Sequence, residues 1–140
     1  MAETIHVDIV SAEGEIFSGA AKMVFLPAAE GEIGVAPRHA PLLTLLKAGE
    51  VRVQPVEGPE QSFYVGGGAL EVQPSRVTVL ADTAARARDL DEAAALAARQ
   101  RAEEALAGKI DKLEQAEALA ELARAAAQLK LIERLRKIRG

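Results

Sequence analysis

No cysteine occurs among the 140 residues, which excludes disulfides, thiolate metal ligands and cysteine nucleophiles. Tryptophan is absent too. Only Phe17, Phe25, Phe63 and Tyr64 are aromatic, so the core must be built from aliphatic side chains and alanine, and no large ring-lined pocket is expected. His6 and His39 are the only histidines, and neither lies in a spacing that holds a metal, such as HExxH. No apolar run reaches the roughly 18 residues of a membrane-spanning helix. The start, MAETIHVDIV, has no basic leader and alternates polar with apolar residues, so a soluble protein of the cytoplasmic side is expected.

Absences also divide the chain. Every proline and every aromatic residue lies before residue 75, whereas residues 85–140 hold 17 alanines with only Gly108 and Gly140 as breakers. Charge changes at the same place. Residues 1–84 carry 5 basic and 11 acidic groups, net −6, and residues 85–140 carry 12 and 10, net +2, which together make the net −4 of the chain. Two domains are expected, 1–84 and 85–140, within a length that suits one ordinary domain of roughly 100–200 residues or a small domain with an appendage.

In the first half Ile5, Val7 and Ile9 alternate with His6 and Asp8. The same period of two recurs at Val51/Val53, Phe63/Val65, Leu70/Val72 and Val77/Val79, and it is the period of a strand with one buried face. Gly14, Pro27, Gly31, Pro37, Gly49, Gly58-Pro59, Gly66 to Gly68 and Pro74 cut the region into short pieces. The pattern predicts an antiparallel β-sandwich of about eight to ten strands.

The second half reads as helix. Asp89 or Asp91 can accept backbone N–H bonds at a helix start and Gly108 suits a left-handed stop, so one helix is predicted near 91–107. A second, about 111–138, places Leu113, Ala116, Ala120, Ala123, Ala127, Leu131, Leu135 and Ile138 on one face at steps of three and four. Leu119, Leu122, Ala126 and Leu129 form a second apolar line. The short connection predicts an antiparallel αα-hairpin, and the whole chain an α+β protein. One sister helix cannot cover both lines, and alanine burial is weak at about 0.8 kcal/mol per methyl-sized group, so the hairpin is expected to be detachable.

Catalytic chemistry finds little support. Glu30 and Glu32 flank a glycine in a turn, where carboxylates are solvated rather than tuned as an acid/base pair. Gly66 to Gly68 lack the lysine of a phosphate-binding loop and open a strand, which points to a bend or a close strand approach. Lys130, Arg134, Arg136, Lys137 and Arg139 are opposed only by Glu133. The helix dipole accounts for cations at a helix C-terminus, yet Lys130, Arg134 and Lys137 share one face and suit an acidic partner. A binding module whose basic helix engages nucleic acid or anionic lipid is therefore the alternative reading.

Three stretches, VSAEGEIFSG at 10–19, GEIGVAPRHAPLLTLLKAGEVRV at 31–53 and YVGGGALEVQPSRVTVLADTA at 64–84, resemble the epsilon subunits of F-type ATP synthases. DLDEAAALAARQRAEEAL at 89–106 and AELARAAAQLKLIE at 120–133 continue the resemblance to the end of the chain. It implies a non-catalytic rotor subunit of the central stalk, without a cofactor or metal of its own. The sandwich would bind the gamma subunit and sit on the c-ring, coupling proton flow to ATP synthesis at the cytoplasmic face of the bacterial plasma membrane, with membrane contact only through the complex.

The family's ring-contacting loop, roughly GELG followed by PGHAPL, corresponds to Glu32, Ile33, Gly34, His39, Ala40, Pro41 and Leu42, with Arg38 where glycine is usual. In the family the hairpin switches between a folded form and an extended form beside gamma that inhibits ATP hydrolysis. The resemblance implies that Lys130, Arg134 and Lys137 then face acidic segments of the alpha and beta subunits. Some members bind ATP through (I/L)-D-x-x-R-A and a later arginine. Leu90, Asp91 and Arg101 match, but Ala94 replaces the arginine, so ATP binding is expected to be weak or absent.

Overall fold

The computed structural model describes residues 3–139, the side chain of Arg139 excepted. Seven strands come first among the described residues: β1 (Ile5–Ser11), β2 (Gly14–Ala28), β3 (Gly31–Val35), β4 (Leu42–Pro55), β5 (Gln61–Gln73), β6 (Arg76–Ala81) and β7 (Ala84–Arg86). A 3-10 turn, Ala87–Asp89, leads to α1 (Glu92–Ala107) and α2 (Lys112–Arg139). The chain divides into two compact units after Arg86, because Ala84, Ala85 and Arg86 pair with Val65, Tyr64 and Phe63 of β5.

Each predicted alternation is a buried strand face. Ile5, Val7, Ile9, Val51, Val53, Phe63, Val65, Leu70, Val72, Val77 and Val79 are at most 1 % exposed, and Ala21, Val24, Leu26, Val35, Leu46 and Ala81 join them in the core. Burial of each such side chain other than alanine contributes about 1.5–3 kcal/mol before entropy is counted.

Seven strands stand where about eight to ten were expected, because two long ones change neighbours along their length. The first part of β2 pairs with β1 and its later part with β3. Likewise β5 pairs with β7 through Phe63–Val65 and with β6 through Gly68–Gln73. Its inward residues shift parity between Val65 and Leu70, across Gly66 to Gly68. Gly67 and Gly68 have φ of 100° and 138°, and a Cβ on Gly68 would lie 2.1 Å from the Leu80 carbonyl oxygen. The triple glycine is thus both a bend and a close strand approach. The order β1-β6-β5-β4-β2 closes on itself through β1, which runs antiparallel to β2 and parallel to β6.

In the helical unit Asp91 caps α1, its Oδ1 accepting from the Ala94 N–H at 3.1 Å. Asp111 caps α2, accepting from the Glu114 N–H at 2.7 Å while Glu114 Oε1 accepts from the Asp111 N–H at 3.5 Å, a reciprocal capping box. Gly108 departs from expectation. Its φ of −92° is ordinary extended backbone, and its N–H closes the helix on the Ala105 carbonyl at 3.3 Å. The apolar lines of α2 are also phased differently, since Ala116, Ala120 and Ala123 are exposed while Ala118 and Ala125 are buried. On α1, Ala95 and Ala102 are buried. Ion pairs from Arg101 to Glu121 at 3.4 Å and from Arg136 to Glu92 at 2.7 Å bridge the antiparallel helices.

Candidate functional site

The expected ring-contact residues are consecutive in space as in sequence: Glu32, Ile33 and Gly34 on β3, Arg38 to Pro41 in the connection, and Leu42 opening β4. A turn organises the connection. His39 N–H donates to the Ala36 carbonyl at 3.2 Å, with Pro37 second and Arg38 third, and Arg38 has φ of 68°. Proline second and positive φ third define a type II turn, whose third position favours glycine. This explains physically why a glycine suits this position. Arg38 holds the left-handed conformation against a strain of about 1–2 kcal/mol. Its N–H donates to the Pro74 carbonyl at 2.8 Å, its guanidinium pairs with Glu3 at 2.6 Å, and His39 Nδ1 bonds the Ala40 carbonyl at 2.7 Å. Glu32 is met by Arg52 at 3.4 Å, and Arg52 stacks 4.3 Å from the centre of the Phe25 ring.

Sequence reasoning missed an exposed leucine face on the sandwich. Leu43, Leu45 and Leu80 are 77 %, 66 % and 55 % exposed. Register aligns Leu45 with Ala69, Ala69 with Leu80 and Leu80 with Val10, so an apolar row crosses β4, β5, β6 and β1. The signal was present in Leu42-Leu43-Thr44-Leu45-Leu46, because a strand alternates and neighbouring leucines cannot all face one core. Further along the same face Asp8 binds the Ser18 hydroxyl at 2.7 Å and His6 Nε2 at 2.9 Å, and pairs with Arg76. Burial pushes the Asp8 carboxyl up, but the hydrogen bonds from Ser18 and His6 and the charges of His6 and Arg76 outweigh it and hold the pKa below the usual value.

In the hairpin, Lys130 and Lys137 are exposed, Arg134 is half-buried, and Lys137 pairs with Glu133 at 3.6 Å. Arg136 is taken by Glu92, and the side chain of Arg139 lies outside the described residues. Of the residues that match the nucleotide pattern, Asp91 is occupied as a helix cap, Arg101 pairs with Glu121, and the ten-residue step from one to the other spans roughly 15 Å of helix. Leu90 is half-buried and Ala94 exposed. Among the described residues no group of three or more His, Cys, Asp or Glu is placed to hold a metal, and no helix is long and apolar enough to cross a membrane.

The described residues thus form a β-sandwich unit that exposes Leu43, Leu45 and Leu80 and a separate helical-hairpin unit. Residues 4–87 match the family model for the ATP synthase delta/epsilon chain β-sandwich domain, and residues 88–133 that for its long α-helix domain. The ATP synthase epsilon chain of Nitrosococcus oceani is 66 % identical over 140 residues, covering 100 % of both chains. That of Alkalilimnicola ehrlichii is 64 % identical over 134 residues, 96 % of each. The fold is similar to a chain in the Euglena gracilis mitochondrial ATP synthase structure, with TM-score 0.70, 18 % identity and coverage of 98 % of this chain and 82 % of that one. A chain in the Tetrahymena thermophila mitochondrial ATP synthase central stalk/c-ring structure gives TM-score 0.68 at 11 % identity, covering 93 % and 97 %. The chain belongs to the ATP synthase epsilon chain family, a component of that enzyme complex. Membership decides between the two function classes that the basic helix alone left open.

Proposed function

We propose that the sandwich, residues 1–84 by sequence and extended by β7 to Arg86, is the rotor foot, which binds the gamma subunit and rests on the c-ring so that proton-driven rotation reaches the catalytic subunits. The chain makes no bonds itself and takes no cofactor. The ring contact is the β3–β4 connection with Glu32, Ile33, Gly34 and Arg38 to Leu42, and the gamma contact is the exposed face that carries Leu43, Leu45 and Leu80. The helical hairpin restrains ATP hydrolysis when it extends toward the alpha and beta subunits, with Lys130, Arg134 and Lys137 facing their acidic segments. The protein works peripherally, at the cytoplasmic face of the bacterial plasma membrane, through the complex.

The observation that carries this reading is the 66 % identity to an epsilon chain along the full length of both proteins. The exposed leucines support it, because contiguous apolar surface on a soluble domain marks a partner site. Affinity purification of the tagged chain from solubilised membranes tests it, followed by identification of the co-purifying subunits. Recovery of alpha, beta, gamma and c is expected. A preparation without them that retains nucleic acid or anionic lipid at about 150 mM salt would overturn the reading, since weak electrostatic contacts are screened there.

A further inference from the structure

At the leucine row the sandwich carries a shallow, open groove of about 430 Å³ lined by Leu45, Leu46, Gly67, Gly68, Ala69, Leu80 and Asp82. Asp82 is the one charged residue in its lining. A Cβ on Gly67 would stand 3.3 Å from Asp82 Oδ2, so the absent side chain leaves the carboxylate open to the groove. Lys47, between Leu46 and Ala48 on β4, does not line it. The Asp82 backbone is fixed by its N–H bond to the Gly67 carbonyl at 2.9 Å. Its carboxylate is otherwise unengaged, since no ion pair or side-chain hydrogen bond among the described residues involves it. That charge sits at the edge of the exposed apolar face of Leu45 and Leu80. Covering leucines while leaving a neighbouring carboxylate desolvated and unpaired is strongly unfavourable.

We infer that the groove receives a lysine or arginine side chain, carried by an otherwise apolar segment of the partner that covers Leu45 and Leu80. This rests on the reading that the partner is the gamma subunit. Apolar packing supplies the attraction and Asp82 supplies selectivity, because it rejects a segment that brings no cation. The negative balance of the sandwich, net −6 over residues 1–84, favours approach of a basic segment in the same direction.

The full-length chain, its Asp82→Asn variant and a Leu45→Ser/Leu80→Ser variant are titrated with purified gamma subunit by calorimetry at 50 mM and 500 mM salt, after circular dichroism has shown all three folded. Asp82→Asn is expected to weaken binding about tenfold or more at low salt, with a smaller difference at high salt. The leucine variant is expected to weaken it at both. Weakening by the leucine variant with Asp82→Asn indistinguishable from the parent overturns the cation site and leaves the gamma reading standing. Unchanged binding by both variants overturns both. As a further check, Asp82→Lys should be rescued by Asp or Glu at one basic position of gamma, and failure of every such pairing to restore affinity overturns the proposal.

Discussion

Gly31 and Gly68 offer a controlled test of how the triple glycine shapes the sandwich. Their φ angles are nearly equal, 140° and 138°, so an alanine at either is strained by the same positive φ. Such conformations cost a non-glycine residue about 1–3 kcal/mol. Their surroundings differ completely. A Cβ on Gly31 meets nothing within 4 Å, whereas one on Gly68 lies 2.1 Å from the Leu80 carbonyl oxygen and 2.9 Å from the Ala81 Cα. Gly68 pairs with Ala81, so β5 must move off β6 and leave ladder hydrogen bonds poorly made, adding about 1–3 kcal/mol for each buried group left unsatisfied. Gly31→Ala should therefore cost about 1–3 kcal/mol, and Gly68→Ala, with one such group lost, about 2–6 kcal/mol, a large part of a typical domain's 5–15 kcal/mol. The assay is urea unfolding of the full chain. Tyr64, buried on β5 in a chain without tryptophan, reports the sandwich by its fluorescence, and circular dichroism at 222 nm follows the helices separately. Costs for the two variants that agree within about 0.5 kcal/mol would refute the reasoning, because backbone strain alone would then explain both.

Asp8→Asn should destabilise the sandwich by about 1–2 kcal/mol near neutral pH. Because the folded carboxyl titrates below its usual value, the parent's advantage is fully present above the unfolded pKa and disappears as pH falls through the folded one; an unfolding difference that grows toward acid would contradict this. In the assembled enzyme, replacing Lys130, Arg134 and Lys137 together by alanine should relieve inhibition of ATP hydrolysis by about 5- to 150-fold in the underlying equilibrium, with a narrower gap at high salt, and equal rates at low salt would sink it. The isolated chain should show no micromolar affinity for ATP in calorimetry, since Asp91 is a helix cap and Ala94 brings no cation; a micromolar constant would mean that other arginines build the site.

The core was legible because its signals are local. Every period-two pair read from the chain, from Ile5/Val7 to Val77/Val79, lies inside, and Asp91 caps its helix as its side chain predicts. The reciprocal Asp111/Glu114 cap was as local, and its three-residue spacing is visible in the sequence although it was not read from it. Gly108 was misjudged for the opposite reason: glycine permits a left-handed stop without requiring one, and here the helix closes through an extended residue. The proposed ring contact rests on resemblance alone, and the structure adds why Arg38 is an awkward occupant of that loop, namely a type II turn that asks for positive φ.

By itself the sequence determined the two structural grammars, the composition of the core and the helix starts, because strand alternation, helical periodicity and caps act over a few neighbouring residues. Only the tertiary structure decided that two long strands change neighbours, that β1 closes the ring by running parallel to β6, and that Ala118 and Ala125 rather than Ala116, Ala120 and Ala123 are buried on α2. It alone left Leu43, Leu45 and Leu80 in the open beside an unpaired Asp82. Those outcomes depend on which distant segments meet. A residue's local pattern says that it has an apolar face, and the rest of the fold decides whether anything covers it.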